Sequence, residues 1–308
     1  MQQPATSPRW DCVVIGGGAA GLSAALVLGR ARKRTLLVDA GHQCNLPAGG
    51  IGGLLGHDGL PPKDLYAKGR EELEKYPDVE VRDEEVTGAK EGTEGFTIEL
   101  SSGSAEMASR ILLATGLDYG YPDVPGITER WGRSVFHCPF CHGWEVRDRV
   151  LGVLDPGPSG ATRAFLLRGW SDRLSLYTHG PAELDPADAN RLQGAGIAVD
   201  EREISELRGN GDDLQAIVFA DGSEAPCEGL LVAPTLSQTS QLVQDLGLKT
   251  TEEHPMVSDA IEVDSAYSTS VEHVFAAGDA TGGMPSVANS VAGGSSAAAH
   301  IVHSLVQA

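Results

Sequence analysis

Asp11-Cys-Val-Val-Ile15-Gly16-Gly17-Gly18-Ala-Ala-Gly21 is the stretch that sets the architecture of this chain. An apolar run ends in glycines at 16, 18 and 21, good helix formers fill residues 22–30, and a second apolar run, Thr35-Leu-Leu-Val-Asp39, follows. Strand, glycine turn, helix and strand make one βαβ unit. The first glycine permits the tight turn, the second lets the backbone approach a pyrophosphate, and the third lets the helix pack on the strand. The start of the helix presents free N–H groups and the positive end of its dipole to phosphates. Asp39 is spaced to accept hydrogen bonds from an adenosine ribose. A glycine turn alone would say little. The strand before it, the helix after it and the acid beyond predict dinucleotide binding at Gly16, Gly18, Gly21 and Asp39.

Working outward, the pattern predicts a helix over 60–76 and short strands over 79–81, 96–100 and 109–114. A second βαβ-like stretch opens at Val150-Leu-Gly-Val-Leu154 and passes Pro156-Gly-Pro-Ser-Gly160. It continues through a helix over 161–170 to a strand over 174–178. Strands recur near 216–219 and 229–232, and the chain closes with Val274-Phe-Ala-Ala-Gly-Asp279 and a small-residue helix over 291–306. No tandem repeat is present. Two βαβ units in 308 residues predict an α/β protein of two nucleotide-type domains.

Composition narrows the function. A formal net charge of −20 makes nucleic acid a poor partner, since nothing neutralises phosphates. No run of about 18 apolar residues exists, so no membrane span is expected. Residues 1–11 lack a basic segment followed by an apolar run, and the expected location is the cytoplasm. Five cysteines, mostly scattered, make a poor structural disulfide framework. The close pair is Cys138-Pro-Phe-Cys141, whose spacing suits a short redox disulfide. A helix start and the neighbouring His137 and His142 would favour a thiolate there. Zinc would want a second ligand pair, and none follows, so no metal is expected.

Leu112-Leu-Ala-Thr-Gly116 and Val274-Phe-Ala-Ala-Gly-Asp279, with the first βαβ unit and the Cys-x-x-Cys midway, resemble the low-molecular-weight thioredoxin reductases from end to end. The resemblance implies two Rossmann-like dinucleotide-binding domains. The FAD-binding domain would comprise 1–118 and 253–308, and an NADPH-like domain carrying the cysteines would comprise 119–252. It implies FAD held also by Thr115, Gly116, Gly278 and Asp279, with Asp279 on the ribityl–phosphate region and Ala288 near the isoalloxazine. Val287 stands where those reductases carry glutamine. By the same resemblance Cys141 faces the flavin, Cys138 exchanges with substrate, and the working form is a homodimer. His142 occupies the position of an acid/base aspartate, and imidazole titrates near neutrality.

The second glycine loop departs from that family. Asp155 takes the first glycine position, where its charge would face a pyrophosphate, and Pro156 and Pro158 remove two backbone donors. Thr178-His179-Gly180 offers no arginine for a 2′-phosphate. Nicotinamide binding is therefore expected to be degenerate. The run from Cys138 to Glu145, Cys-Pro-Phe-Cys-His-Gly-Trp-Glu, is similar to the dithiol oxidases of the gliotoxin and holomycin pathways. That similarity implies oxidation of a small-molecule dithiol to an intramolecular disulfide, with O2 as acceptor and H2O2 as product. The alternatives are a thioredoxin-reductase-like disulfide reductase driven by NADPH or another donor, and a flavin-bearing redox sensor.

Overall fold

Strand β1 (Cys12–Ile15) is buried along its whole length, as a continuous apolar run must be when both faces of a parallel sheet are covered. In the computed structural model, which describes residues 9–238, 240–252, 257 and 259–307, the strand leads into α1 (Ala19–Arg30) and then β2 (Thr35–Val38). Next come α2 (Pro62–Leu73), β3 (Val79–Arg82), the strands β4 (Val86–Gly92), β5 (Gly95–Leu100) and β6 (Ala105–Ala108), and β7 (Ile111–Leu113). The chain leaves this first unit through β8 (Asp118–Gly120).

The second unit opens with α3 (Ile127–Arg130), β9 (Val135–Phe136) and α4 (Pro139–His142). Its own βαβ follows as β10 (Leu151–Leu154), α5 (Gly160–Leu167) and β11 (Leu174–Tyr177). Then come α6 (Pro186–Gly194), β12 (Ala198–Asp200), the strands β13 (Ile204–Asn210), β14 (Asp213–Phe219) and β15 (Glu224–Pro226), and β16 (Gly229–Val232). The chain returns through β17 (Thr235–Ser237) to α7 (Leu242–Asp245), β18 (Val274–Ala276) and the long helix α8 (Val287–Val306).

In the first unit a parallel sheet has the order β18-β7-β1-β2-β3, beside a three-stranded antiparallel sheet β4-β5-β6. One face of the parallel sheet packs Val13, Leu36, Ile111 and Val274 against Phe96, Ile98 and Leu246. The other packs Val14, Leu37 and Leu112 under α1 and α8. Helix α8 comes so close to α1 that a Cβ on Gly294 would lie 2.0 Å from the Ala20 carbonyl oxygen. The second unit repeats the scheme with the parallel order β12-β11-β10-β16-β9 and the antiparallel sheet β13-β14-β15.

The units are residues 1–44, 62–119 and 236–308, and residues 45–61 and 120–235. They differ from the expected ranges of 1–118 with 253–308, and 119–252. Residues 236–252 join the first unit because Leu242, Val243, Leu246 and Leu248 fill its core. Residues 45–61 join the second because they lie against Gly132, Arg133 and Cys141. The expected boundary at 253 falls outside the described residues. No helix among those described is long and apolar enough to cross a membrane.

Candidate active site

Gly16, Asp39, Thr115, Gly116, Gly278 and Asp279 all follow the carboxyl ends of adjacent strands, β1, β2, β7 and β18. Ligands bind in such a crevice where strand order reverses, here about β1. Gly16 has φ +106°, and a Cβ there would lie 2.3 Å from the Ala114 carbonyl oxygen. A Cβ on Gly21 would lie 1.8 Å from the Gly16 carbonyl oxygen, so both glycines serve packing. Gly18 is different: the nearest atom to its Cβ position is Gln43 Cγ at 3.7 Å. It caps α1 without a side-chain hydrogen bond, and the first turn of α1 holds no acid. Room for a Cβ at Gly18 and a helix start with no side-chain cap together suit a phosphate.

The Asp39 carboxylate is buried and accepts hydrogen bonds from Gly17 N (3.1 Å), Gly41 N (3.1 Å) and Gln43 Nε2 (2.9 Å), with Arg70 Nη2 on its other oxygen at 2.5 Å. Burial alone would raise its pKa; the Gly41 and Gly17 amides and Arg70 outweigh burial and hold it below the usual carboxylate range. Asp279 sits in a one-turn 3-10 helix after Gly278, whose φ is +79°. Burial raises its pKa, partly offset by Ser290, whose hydroxyl donates to Oδ1 at 3.2 Å. The Thr115 hydroxyl oxygen is buried with no hydrogen-bond partner. Ala288 is exposed in the first turn of α8, which Ser286 caps by accepting from Asn289 N. An open glycine turn, an ionised acid beyond it, an orphaned hydroxyl and an acid wanting donors fit a dinucleotide with ribose and ribityl hydroxyls. Arg70, Gln43 and Ser290 escape motif reading because their role is to hold Asp39 and Asp279.

In the second unit Cys138 and Cys141 form a disulfide across α4, with Cα atoms 5.3 Å apart. Cys138 is the extended residue before the helix and Pro139 its first helical residue, a position where a missing N–H costs nothing. Phe140 and Trp144 stand 63% and 66% exposed beside the pair, so Trp144 is a surface residue and not core. The His142 ring stacks on Phe136 at 5.6 Å, and its Nε2 lies 3.1 Å from the Gly132 carbonyl oxygen. That oxygen can only accept, so Nε2 carries the proton and Nδ1 keeps its lone pair. Nδ1 is buried with no partner in the structure. Burial lowers the pKa of His142, opposed by Glu145 and the Gly132 carbonyl. The ring is thus a neutral base. His137 stacks on Trp131, and burial, with His142 and Arg163, lowers its pKa to about 4.

The second glycine loop is filled from within. Asp155 is buried and accepts from Gly157 N (2.9 Å), Ser159 Oγ (2.7 Å) and Arg163 Nε (2.9 Å). It was expected to face a pyrophosphate; its carboxylate instead turns back on donors of its own loop and helix. Beyond β11, His179 has φ +51° and its Nδ1 accepts the Ile204 N–H at 2.8 Å. A recess of about 620 Å³ at the ends of β11 and β12 is lined by Asp200, Glu201 and Arg202. Arg202 is paired with Asp200 and stacked on Phe219 at 3.7 Å.

A dinucleotide-binding α/β unit joined in one chain to a second that bears a Cys-x-x-Cys disulfide defines a flavin-dependent thiol–disulfide oxidoreductase. Residues 10–294 match the model of the pyridine nucleotide-disulphide oxidoreductase family, and the chain belongs to that family. Its cofactor is accordingly FAD. Thioredoxin reductase tcpT of Claviceps purpurea is 31% identical over 300 residues, covering 94% of this chain and 92% of that one. A probable thioredoxin reductase of Arthroderma benhamiae is 38% identical over 164 residues, 51% of this chain but 41% of that relative's length. The crystal structure of HlmI superposes with a TM-score of 0.91 at 37% identity, covering 99% of this chain and 95% of that one.

Proposed function

We propose that this chain is an FAD-dependent dithiol oxidase that closes an intramolecular disulfide in a small-molecule dithiol, with O2 as final acceptor. The observation that supports it most is Asp155, which holds inside the chain the donors a nicotinamide cofactor's pyrophosphate would need. The similarity of the run from Cys138 to Glu145 to natural-product dithiol oxidases points the same way.

The substrate's first thiol loses its proton with His142 as the base, and the thiolate attacks Sγ of Cys138. The Cys138–Cys141 bond breaks and Cys141 leaves as a thiolate. The substrate's second thiol, once deprotonated, attacks the substrate sulfur of the mixed disulfide, and Cys138 leaves. The substrate has lost two electrons and two protons and departs as a cyclic disulfide; the enzyme disulfide has become a dithiol. Bound FAD supplies the two-electron acceptor that restores the enzyme disulfide and the donor that reduces O2 to H2O2. Because His142 is held neutral by burial, the rate of dithiol attack stays high across neutral pH. It falls only as pH drops through that lowered pKa.

The test is anaerobic mixing of the yellow protein with a small dithiol. The yellow absorbance should bleach, return on admitting air, and yield one peroxide per disulfide formed. His142→Ala should slow bleaching most strongly below the thiol's own pKa. The names of the reductase relatives support the second reading, a thioredoxin-reductase-like disulfide reductase. Rapid bleaching by micromolar NADPH, with no dithiol-driven oxygen uptake, would establish that reading in place of the first.

A further inference from the structure

We infer that residues 45–61 form a strap that positions the redox turn, with Gly52 and Arg133 as its two positioning residues. The inference rests on the reading of Cys138–Cys141 as the exchanging pair. The strap is closed on itself: Ile51 N donates to Leu60 O (2.9 Å), Gly59 N to Ile51 O (2.9 Å), and Gly53 N to the Asp58 carboxylate (2.8 Å). Ile51 is buried, while Leu55 at the far end is 98% exposed. Such a loop is held at its base and free at its tip.

The base makes two contacts with the chemistry-bearing segment. First, Gly52 lies on α4 so closely that a Cβ would sit 2.7 Å from the Cys141 carbonyl oxygen and 3.1 Å from its Cα. Those are backbone atoms, which cannot rotate aside as a side chain could. Second, Arg133 Nε donates to the Pro47 carbonyl at 3.0 Å. Gly49 leaves room for that guanidinium, since a Cβ there would lie 2.6 Å from Nη1. Gly132, with φ +75°, brings its backbone against Ala48, and its carbonyl accepts from Nε2 of His142. One strap therefore bears on Cys141 directly and on His142 through the corner at 132–133.

The oxidised turn is tethered with Cα atoms 5.3 Å apart, so it yields less than the reduced turn when Cys141 is pushed. A methyl group at position 52 should therefore penalise the disulfide more than the dithiol. Its equilibrium with glutathione should move toward the dithiol by roughly tenfold, the scale of overpacking one methyl group. Holoprotein equilibrated anaerobically in glutathione buffers, with thiols trapped by maleimide and counted, reads this directly. Flavin absorbance is followed in the same samples. Gly52→Ala should shift the midpoint, and Leu55→Ala, on the exposed tip of the same loop, should not. Arg133→Ala should slow anaerobic dithiol attack by about tenfold, one charge-assisted hydrogen bond's worth, and Arg133→Lys should restore most of it. The exposed Arg133 side chain keeps the test open if Gly52→Ala does not fold. A Gly52→Ala midpoint within twofold of wild type, an equal shift from Leu55→Ala, or an unchanged Arg133→Ala rate would each overturn the strap. Absence of peroxide from the wild type would instead overturn the oxidase reading and leave the strap standing.

Discussion

The two glycine loops occupy equivalent places, after the first strand of a parallel sheet and before a helix, yet one is open and the other is filled. In the first, the acid comes from the neighbouring strand: Asp39 binds Gly17 N and leaves Gly18 with room for a Cβ, whose nearest neighbour would be Gln43 Cγ at 3.7 Å. In the second, the acid is in the loop itself, and Asp155 takes Gly157 N, the Ser159 hydroxyl and Arg163. The helix start remains in both. What differs is whether a carboxylate of the loop itself takes those donors. A βαβ scaffold thus does not determine occupancy; the origin of one carboxylate does.

Under the proposed function one loop serves electron transfer and the other does not, and the largest effect should follow from cutting the route between substrate and the first loop. Cys138→Ser or Cys141→Ser should lower dithiol-driven oxygen uptake by about a thousandfold or more, because neither serine can form the exchanging disulfide. Near-normal uptake in either variant would break the assignment. Next in size is a paired substitution at corresponding loops. Gly18→Val should weaken FAD binding by about 10–100-fold, the loss of one charge-assisted phosphate contact, while Gly157→Val should change it less than twofold. Fluorescence titration of the apoprotein measures both.

Asp155→Ala strips three donors of their partner and should destabilise the protein by about 1–3 kcal/mol in denaturant titrations. NADPH should still fail to bleach it, since the segment after β11 supplies no arginine pair. The smallest effects are two opposed pH signatures within the first loop's own unit. Asp39 has a depressed pKa when folded, so its contribution is complete above the unfolded value and is lost as pH falls through the folded one. The stability gap between wild type and Asp39→Asn should close in acid. Asp279 has a raised pKa, so its ionised form opposes folding at neutral pH. Asp279→Asn should raise the melting temperature of the apoprotein at pH 7 while weakening FAD retention.

Legibility followed the physics of each element. Runs such as Cys12–Ile15 and Gly229–Val232 are buried on both faces, so continuous apolar sequence marked them. The antiparallel strands Val86–Gly92 and Ala105–Ala108 were not foreseen, because charged residues and glycines interrupt any alternation there. Helix α8 starts at Val287 rather than 291 because Ser286 caps it, a signal that was readable. In the site, glycine spacing, Asp39 and the cysteine pair announced themselves. The partners of Asp155 were not foreseen: an aspartate reads as a repelling charge until Ser159 and Arg163 are seen to fold back on it. The proton position on His142 depends on a backbone carbonyl at Gly132, which no side-chain pattern encodes.

The first unit is also written in pieces, and its last piece holds β18, Asp279 and the helix that packs on α1. During synthesis, β1, β2, β3 and β7 emerge early but wait without their edge strand and without the α8 cover. The second unit, encoded between them, is complete first. With FAD held as proposed, flavin capture is a late event in the life of the chain: the ribosome must translate past Asp279 and through α8 before the residues assigned to it coexist. A nascent chain stalled before β18 could make its redox disulfide and still be colourless.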